Sequence, residues 1–237
     1  MGLDRRLERL ARREWLETNG LGSYSSGTAS GAATRRYHGL FVAALDPPVR
    51  RYVLLSHLDE VLTVDGEEYP LATNIYRDAV DPTGYEHLAA FEARPVAMWT
   101  FAAGGVELER RVWMPQGRQS VMVGYRVRGV RPHTRVSLNV RPFVAFRDFH
   151  ALTFENPAFD ATTAISDGCV AIRPYTELPK VFLHHNAREF VEDGYWYRAF
   201  EYCEEIARGF EGHEDLYSHG TFAFDLPGDD ARAFVYA

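Results

Sequence analysis

Four consecutive residues near the N-terminus combine side chains that could bind a polar ligand. Arg35 and Arg36 offer planar guanidinium donors. Tyr37 adds an amphipathic ring, and His38 adds an imidazole that titrates near neutral pH. They follow residues 15–34, where glycines and small hydroxyl residues permit positive φ angles and close backbone approach. The pattern predicts a loop that contacts a ligand or another domain. In the structural alternative, the arginines bond loop carbonyls and Tyr37 lies in the core.

A second polar group lies at the end of a predicted strand. Asp148 and His150 are two residues apart, so on a strand they would face the same side. There the carboxylate could orient the imidazole, as in many acid–base sites. A structural ion pair between Arg147 and Asp148 at the strand end is the alternative.

Aromatic residues cluster around Tyr195, Trp196, Tyr197 and Tyr202. If exposed, they would form a stacking platform, and if buried they would belong to the core. Strand alternation places Trp196 opposite Tyr195 and Tyr197, so only one of these two sets can face outward. The sequence leaves open which set that is.

Carboxylates and histidines give weaker indications. Glu204 and Glu205 are adjacent, as are Glu214 and Asp215, and adjacent side chains of an extended chain point apart. Neither pair is therefore expected to supply a catalytic acid and base, and a charged, exposed turn is the alternative. A cupin-like enzyme with a metal held by histidine and glutamate is another possible function. It is disfavoured because His184–His185, as neighbours on a strand, would face opposite ways.

The elements that position these groups are predicted to be strands. Asp-Gly turns at residues 65–66, 167–168 and 193–194, and Gly-Gly at 104–105, are typical of hairpins. Apolar residues alternate with polar ones over 121–127 and 136–140, which predicts antiparallel strands with one buried face. Leu3, Leu7 and Leu10 predict one short N-terminal helix. The expectation is one all-β domain, a large antiparallel sandwich of roughly a dozen strands.

Composition excludes several classes of protein. The net charge of −7 disfavours nucleic acid and anionic membranes as partners. No segment has the apolar length of a signal peptide or a transmembrane helix. The two cysteines have no disulfide or metal-ligand spacing. We therefore expect a cytoplasmic globular protein without cofactor or metal.

Three segments together resemble one family. The first is residues 14–40, with Glu-Trp-Leu-x-Thr-Asn-Gly-Leu-Gly followed by Thr-Arg-Arg-Tyr-His-Gly-Leu. The second is residues 204–222, with Glu-Glu-x-x-Arg-Gly, Glu-Asp-Leu-Tyr and Gly-Thr-Phe, and the weaker third is 141–150. They resemble the N-terminal domain of bacterial and archaeal glycogen debranching enzymes, the amylo-alpha-1,6-glucosidase family. The chain departs from that pattern at Ser23, Phe41 and His219.

The resemblance implies a supersandwich like that of galactose mutarotase, spanning residues 1–237 as a single N-terminal domain. The family's catalytic carboxylates lie in a following (α/α) barrel, which is expected to be absent from this chain. The implied role is non-catalytic: the domain would position α-glucan (glycogen or maltooligosaccharide) and dock that barrel. Glucan hydroxyls are neutral and vicinal, so planar polar side chains and aromatic rings suit them. The predicted substrate-binding residues are Asn19, Tyr24, Arg35, Arg36, Tyr37, His38, Arg147, Asp148 and Trp196. A free-standing β-sandwich that binds glucan or protein is the main alternative.

Overall fold

A computed structural model describes residues 4–237. It contains many short strands and few helices, as expected for an all-β chain. Leu7 and Leu10 are buried in the predicted N-terminal helix, whereas Leu3 lies outside the described residues. The helices are α1 (Arg5–Ala11), a 3-10 turn (Gly84–His87) and α2 (Cys203–Ala207). The strands are β1 (Glu14–Thr18), β2 (Tyr24–Thr28), β3 (Gly39–Asp46), β4 (Val49–Val64), β5 (Glu67–Pro70), β6 (Thr73–Tyr76), β7 (Ala79–Thr83), β8 (Leu88–Glu92), β9 (Ala97–Ala103), β10 (Val106–Trp113), β11 (Met122–Arg128), β12 (Val136–Asp148), β13 (Thr163–Ser166), β14 (Cys169–Ile172), β15 (Val181–His185), β16 (Glu189–Val191), β17 (Tyr195–Glu201), β18 (His213–Ser218), β19 (Thr221–Asp225) and β20 (Arg232–Tyr236).

The strands form two antiparallel sheets. One sheet has twelve strands, with β1-β2-β3-β4-β12-β18-β17-β6-β7 as its main path and β5, β19 and β16 beside it. The other has eight strands in the order β13-β14-β15-β20-β11-β10-β9-β8. The predicted all-β antiparallel sandwich with a short N-terminal helix is therefore confirmed. The expected count of about a dozen strands was too low, because many strands have only three to five residues.

Local turn chemistry predicted most hairpins correctly. Asp65 and Gly66 both have positive φ between β4 and β5, as a type I′ turn requires. Gly104–Gly105 joins β9 to β10, and Gly168 lies in the turn between β13 and β14. The prediction for residues 193–194 was wrong. There β16 pairs with β19 and β17 pairs with β18, so the turn joins strands that are not partners.

The main core lies between the two sheets. Val123, Tyr125 and Val127 of β11 are buried, as are Leu138 and Val140 of β12, which confirms the predicted alternation. Side chains from both sheets join this one apolar cluster. The opposite, half-buried residues of β12 therefore face outward from the twelve-stranded sheet.

A second, smaller apolar cluster covers part of the outer face of the twelve-stranded sheet. It consists of Val42, Val53, Phe143, Ala145, Phe200 and Leu216. Strands β3 and β12 are consequently buried on both faces where they cross it, which explains their uninterrupted apolar runs. Among residues 4–237, no helix has the length and apolar character needed to cross a membrane.

Candidate functional site

Three separate segments of the chain meet beside the second apolar cluster. We call the contact region of residues 34–38, 147–150 and 202–215 the motif junction. Arg147 donates through Nη2 to the Arg36 carbonyl at 2.8 Å, and Arg36 donates through Nη1 to the His150 carbonyl at 3.0 Å. The amide of Glu204 donates to the carbonyl of Thr34 at 3.0 Å. Segments more than a hundred residues apart in sequence are thus joined by direct hydrogen bonds.

The centre of the motif junction is a buried ion pair. Arg147 binds both carboxylate oxygens of Glu214, with 2.9 Å between Nη2 and Oε2, and Glu214 is fully buried. Tyr202 also donates to Glu214, as does the amide of Thr153 at 3.1 Å. Burial alone would lower the pKa of Arg147, but the Glu214 carboxylate raises it above its ordinary value. Arg147 therefore stays charged, and Glu214 is committed to it as a structural partner.

Arg36 makes a second set of contacts in the motif junction. Its Nε lies 3.3 Å from Oε2 of buried Glu205, and its Nη2 donates to the Glu211 carbonyl at 3.0 Å. Its guanidinium also lies 5.8 Å from the ring centre of Phe210. Glu204 and Glu205 lie in a helix, so the expected extended segment was wrong, but the two side chains do point apart, because Glu205 is buried and Glu204 is partly exposed. Arg36 holds α2 against the N-terminal loop.

Glu14 connects the loop to β1. Its Oε1 accepts from Nε of Arg35 at 2.6 Å and lies 3.6 Å from Nε2 of His38, whose Nδ1 accepts from the Thr34 amide at 3.2 Å. The hydrogen bond with His38, together with Arg35, lowers the pKa of Glu14 to about 2, although partial burial opposes the shift. Since His38 is only 5% exposed, it stabilises the loop from inside. Arg35 remains at the surface, near Glu204.

Tyr37 lies between the interior and the surface. Its hydroxyl is 3.2 Å from Nδ1 of His150, and its carbonyl accepts from Tyr24 at 2.8 Å. Burial raises the pKa of Tyr24 to about 12, so Tyr24 stays a neutral donor. Asp148 does not orient the His150 imidazole as expected, because its Oδ1 accepts from the His150 backbone amide at 2.8 Å. The chain turns after β12, so the two side chains do not share a strand face.

The alternative pairing of Arg147 with Asp148 was also wrong. Arg147 donates only to the backbone carbonyl of Asp148, and its carboxylate partner is Glu214. The correct partner lies 67 residues further along the chain, and no local pattern identifies it.

The other two predicted site residues lie elsewhere. Asn19 is fully buried and closes a loop, donating to the Arg118 carbonyl at 2.8 Å and accepting from the Leu21 amide at 2.9 Å. Trp196 packs against Phe159, with ring centres 4.8 Å apart, on the side opposite Tyr195 and Tyr197. The structure therefore decides which aromatic set faces outward. Tyr195 is 50% exposed.

Tyr197, on which Tyr195 stacks, lines a groove that sequence reasoning did not assign. The groove, of about 510 Å³, lies on the outer face of the twelve-stranded sheet and is hereafter called the tyrosine groove. Alternation over residues 136–140 indicated that Asn139 lies opposite the core, but not that β16 and β17 would border it. Its lining includes Asp59, Asn139, Arg141, Asp193, Tyr197 and Thr221.

The described residues show no metal centre. Across residues 4–237, no three His, Cys, Asp or Glu residues are grouped as metal ligands. His185 packs on Phe222, at 4.7 Å between ring centres, whereas His184 stacks with Tyr236 on the outer face. These adjacent histidines face opposite ways, as their positions on a strand predicted.

Comparisons with known proteins give a family match. The sequence profile described as "Glycogen debranching enzyme N terminal" matches residues 13–232. No match was found among curated proteins. Among solved structures, the chain is similar to a bacterial glucoamylase complexed with acarbose, with 6% identity and a TM-score of 0.44. That match covers 96% of this chain but only 32% of the glucoamylase chain, so the present chain spans about a third of it.

Proposed function

Because the chain belongs to the glycogen debranching enzyme N-terminal family, we propose that it is the non-catalytic, single N-terminal domain of such an enzyme. The enzyme acts on α-1,6 branches of glycogen and related α-glucans. In this proposal the domain holds α-glucan near a helical catalytic domain and docks against it. Binding energy from such remote contacts orients a branch point without breaking a bond here.

The observation that carries the non-catalytic role is the state of the carboxylates in the motif junction. Inverting glycosidases need two carboxyl groups about 6.5–9.5 Å apart, with a water between them. Glu214 is instead bound by Arg147 and Tyr202 in a fully buried site. Glu205 is 2% exposed and pairs with Arg36 and Arg208. These groups are committed to the fold, so they suit a scaffold better than an acid–base pair.

The docking role is supported by the rim of the motif junction. Phe210 is 58% exposed and Ile206 is 39% exposed, next to partly exposed Arg35 and Tyr37. Exposed aromatic and aliphatic side chains surrounded by arginine are typical of protein interfaces. The buried ion pairs beneath would keep this rim rigid, which lowers the entropy cost of docking.

Isothermal titration of the purified chain tests the glucan-positioning role. The chain would be titrated with a branched α-glucan and with a linear maltooligosaccharide, while released sugar is assayed in the same samples. Binding without product is the expected result. Product formation would overturn the non-catalytic assignment, and the absence of binding to either glucan would overturn the positioning role.

The docking role needs a separate test. A helical catalytic domain of a debranching enzyme of this family would be titrated with the wild-type chain and with Phe210→Ala. Because Phe210 is mostly exposed, its replacement should weaken the complex without lowering thermal stability. Phe234→Ala, on the eight-stranded sheet and 39% exposed, is the matched control and should leave the complex unchanged. Equal affinity of all three proteins would contradict docking through the rim.

A further inference from the structure

The tyrosine groove is a built depression rather than a flat sheet face. Its floor is formed by β4, β12 and β19, where Val61, Asn139 and Ala223 stand in register across three strands. Its walls come from β16 and from the start of β17. At about 510 Å³ it falls within the range of small-ligand sites, about 300–1,000 Å³.

The charges in the tyrosine groove are neutralised within the protein. Arg141 pairs with Asp193, with 2.5 Å between Nη2 and Oδ2, while its Nη1 lies 3.4 Å from the Asp193 carbonyl. Arg188 pairs with Glu189 at 2.7 Å and with Asp225 at 3.0 Å. A ligand with a net charge would have to compete with these internal partners. The groove therefore suits a neutral ligand that carries many hydrogen-bonding groups.

Asp59, at one end of the groove, is held in place by a neighbouring amide. The Asn74 amide donates to both of its carboxylate oxygens, at 2.9 and 3.2 Å, and Nε2 of His57 lies 3.4 Å away. A carboxylate fixed by an amide keeps lone pairs for further donors, since two oxygens offer about four acceptor positions. Asp59 can thus accept from ligand hydroxyls in a defined direction.

The aromatic lining of the groove is Tyr197, and the more exposed Tyr195 stacks on it at the rim. The rings of Tyr195 and Tyr197 are 4.3 Å apart and inclined by 21°. The Arg141 guanidinium lies 5.4 Å from one ring centre and 5.9 Å from the other. Tyr197 also packs edge-on against buried Phe143, at 4.7 Å. The inner ring is thereby anchored, and the outer ring extends an apolar surface beside planar hydrogen-bond donors.

Close backbone packing holds this wall in place. A Cβ at Gly194 would lie 2.6 Å from the Ser218 carbonyl oxygen, and one at Gly220 would lie 2.2 Å from the Val191 carbonyl oxygen. Only glycine allows the segment carrying Asp193 and Tyr195 to lie so near the connection between β18 and β19. Thr221 then donates to Asp193 at 3.2 Å, so the wall and the floor are bonded to each other.

We propose that the tyrosine groove binds a linear segment of α-glucan, separately from the motif junction. A glucan chain is neutral and carries vicinal hydroxyls, which suit the internally paired polar lining. It also has an apolar sugar face, which suits the exposed tyrosine ring. This inference rests on the proposed function, which supplies α-glucan as the ligand class. The inference adds a specific binding site, which the family match does not identify.

The test is isothermal titration of the full chain with a linear maltooligosaccharide. Tyr195→Ala removes the exposed ring and should weaken binding about tenfold. Asn139→Ala removes one half-buried amide from the floor and should weaken it about fivefold. Tyr195→Phe keeps the ring and should bind within about threefold of wild type. Phe182→Ala, an equally exposed aromatic on the other sheet, should bind as wild type does.

Thermal unfolding of each variant checks that the fold is intact, and a second titration at high salt checks the charge argument. Affinity should be nearly independent of salt, because salt screens ionic contacts and a neutral glucan makes none. If wild type binds but Tyr195→Ala and Asn139→Ala bind equally well, the tyrosine groove is not the site, while the proposed function stands. If wild type binds no glucan, the positioning function itself fails. A steep loss of affinity with salt would also overturn the assignment, because contacts to a neutral ligand are not screened by salt.

Discussion

Arg147 on β12 and Glu214 on β18 form a fully desolvated, bidentate ion pair that joins distant parts of the chain. The same guanidinium also donates to the Arg36 carbonyl at 2.8 Å. One side chain thereby links the N-terminal loop, the end of β12 and β18. We infer that this pair sets the geometry of the motif junction.

The first prediction concerns that ion pair. Glu214→Gln leaves a buried guanidinium without its counter-charge and should destabilise the protein by about 3–5 kcal/mol. Urea unfolding at neutral pH measures the change in the free energy of unfolding. Asp230→Asn, which removes an exposed ion pair with Arg126, is the control and should leave stability nearly unchanged. Similar small losses for both variants would contradict a central role for Glu214.

The second prediction concerns His219. It is 5% exposed, and desolvation by burial lowers its pKa to about 4. The unfolded chain takes up the proton near pH 6.5 and the folded chain only near pH 4, so stability is complete above 6.5 and is lost between these values. The loss should reach about 3 kcal/mol.

Unfolding curves measured from about pH 7 to about pH 4 would show this loss. The His219→Leu variant should lack most of it. His184→Leu is the control, because His184 is exposed on the outer face of the eight-stranded sheet. An unchanged pH profile in His219→Leu would mean that other groups cause the acid sensitivity.

The third prediction concerns Glu14, whose depressed pKa acts in a lower pH range. Because its pKa is about 2 in the folded state and 4.5 otherwise, its contribution to stability is complete above 4.5 and disappears as the pH falls to 2. Glu14→Gln should lower stability above pH 4.5, where that contribution is complete, and flatten the pH dependence between 4.5 and 2. Glu8→Gln supplies the comparison, because Glu8 is an exposed residue of α1. A Glu14→Gln profile parallel to wild type would exclude this coupling to His38 and Arg35.

The fourth prediction concerns Gly194. Its missing side chain allows the turn to approach the Ser218 and His219 carbonyls, so Gly194→Ala must displace backbone. We expect a loss of about 1–3 kcal/mol in stability together with weaker binding of maltooligosaccharide. Gly124→Ala on β11, whose added Cβ would only touch Trp113 at 3.4 Å, should be nearly neutral in both measurements. Equal behaviour of the two variants would show that the turn tolerates displacement.

Much of the fold was predictable because its determinants are local. The hairpin between β4 and β5 follows from Asp65–Gly66, and the buried face of β11 follows from alternation every second residue. The same reasoning failed at residues 193–194, where an Asp-Gly pair joins strands that are not partners. Close packing against the connection between β18 and β19 shapes that turn, and packing between separate segments has no local signature.

The candidate sites were predictable only in part. The sequence indicated that residues 35–38 and 147–150 carry groups with binding chemistry, and the structure brings these segments together. It did not indicate that His38 and Arg147 would turn inward, each only 5% exposed. Whether an arginine binds a ligand or a buried carboxylate depends on what faces it, and Glu214 comes from a strand much later in the chain.

By itself, the sequence determined the all-β class, most of the hairpins and the strand faces that point to the core, because alternation and turn chemistry act over a few residues. It also carried the motifs that place the chain in its family. Only the tertiary structure decided that the motif carboxylates are held in buried ion pairs and that Tyr195 rather than Trp196 faces outward. The tyrosine groove likewise exists only once β16 and β17, through their partners β19 and β18, are placed beside β12 and β4. Such pairings depend on the burial of whole sheet faces, which no short stretch of sequence specifies.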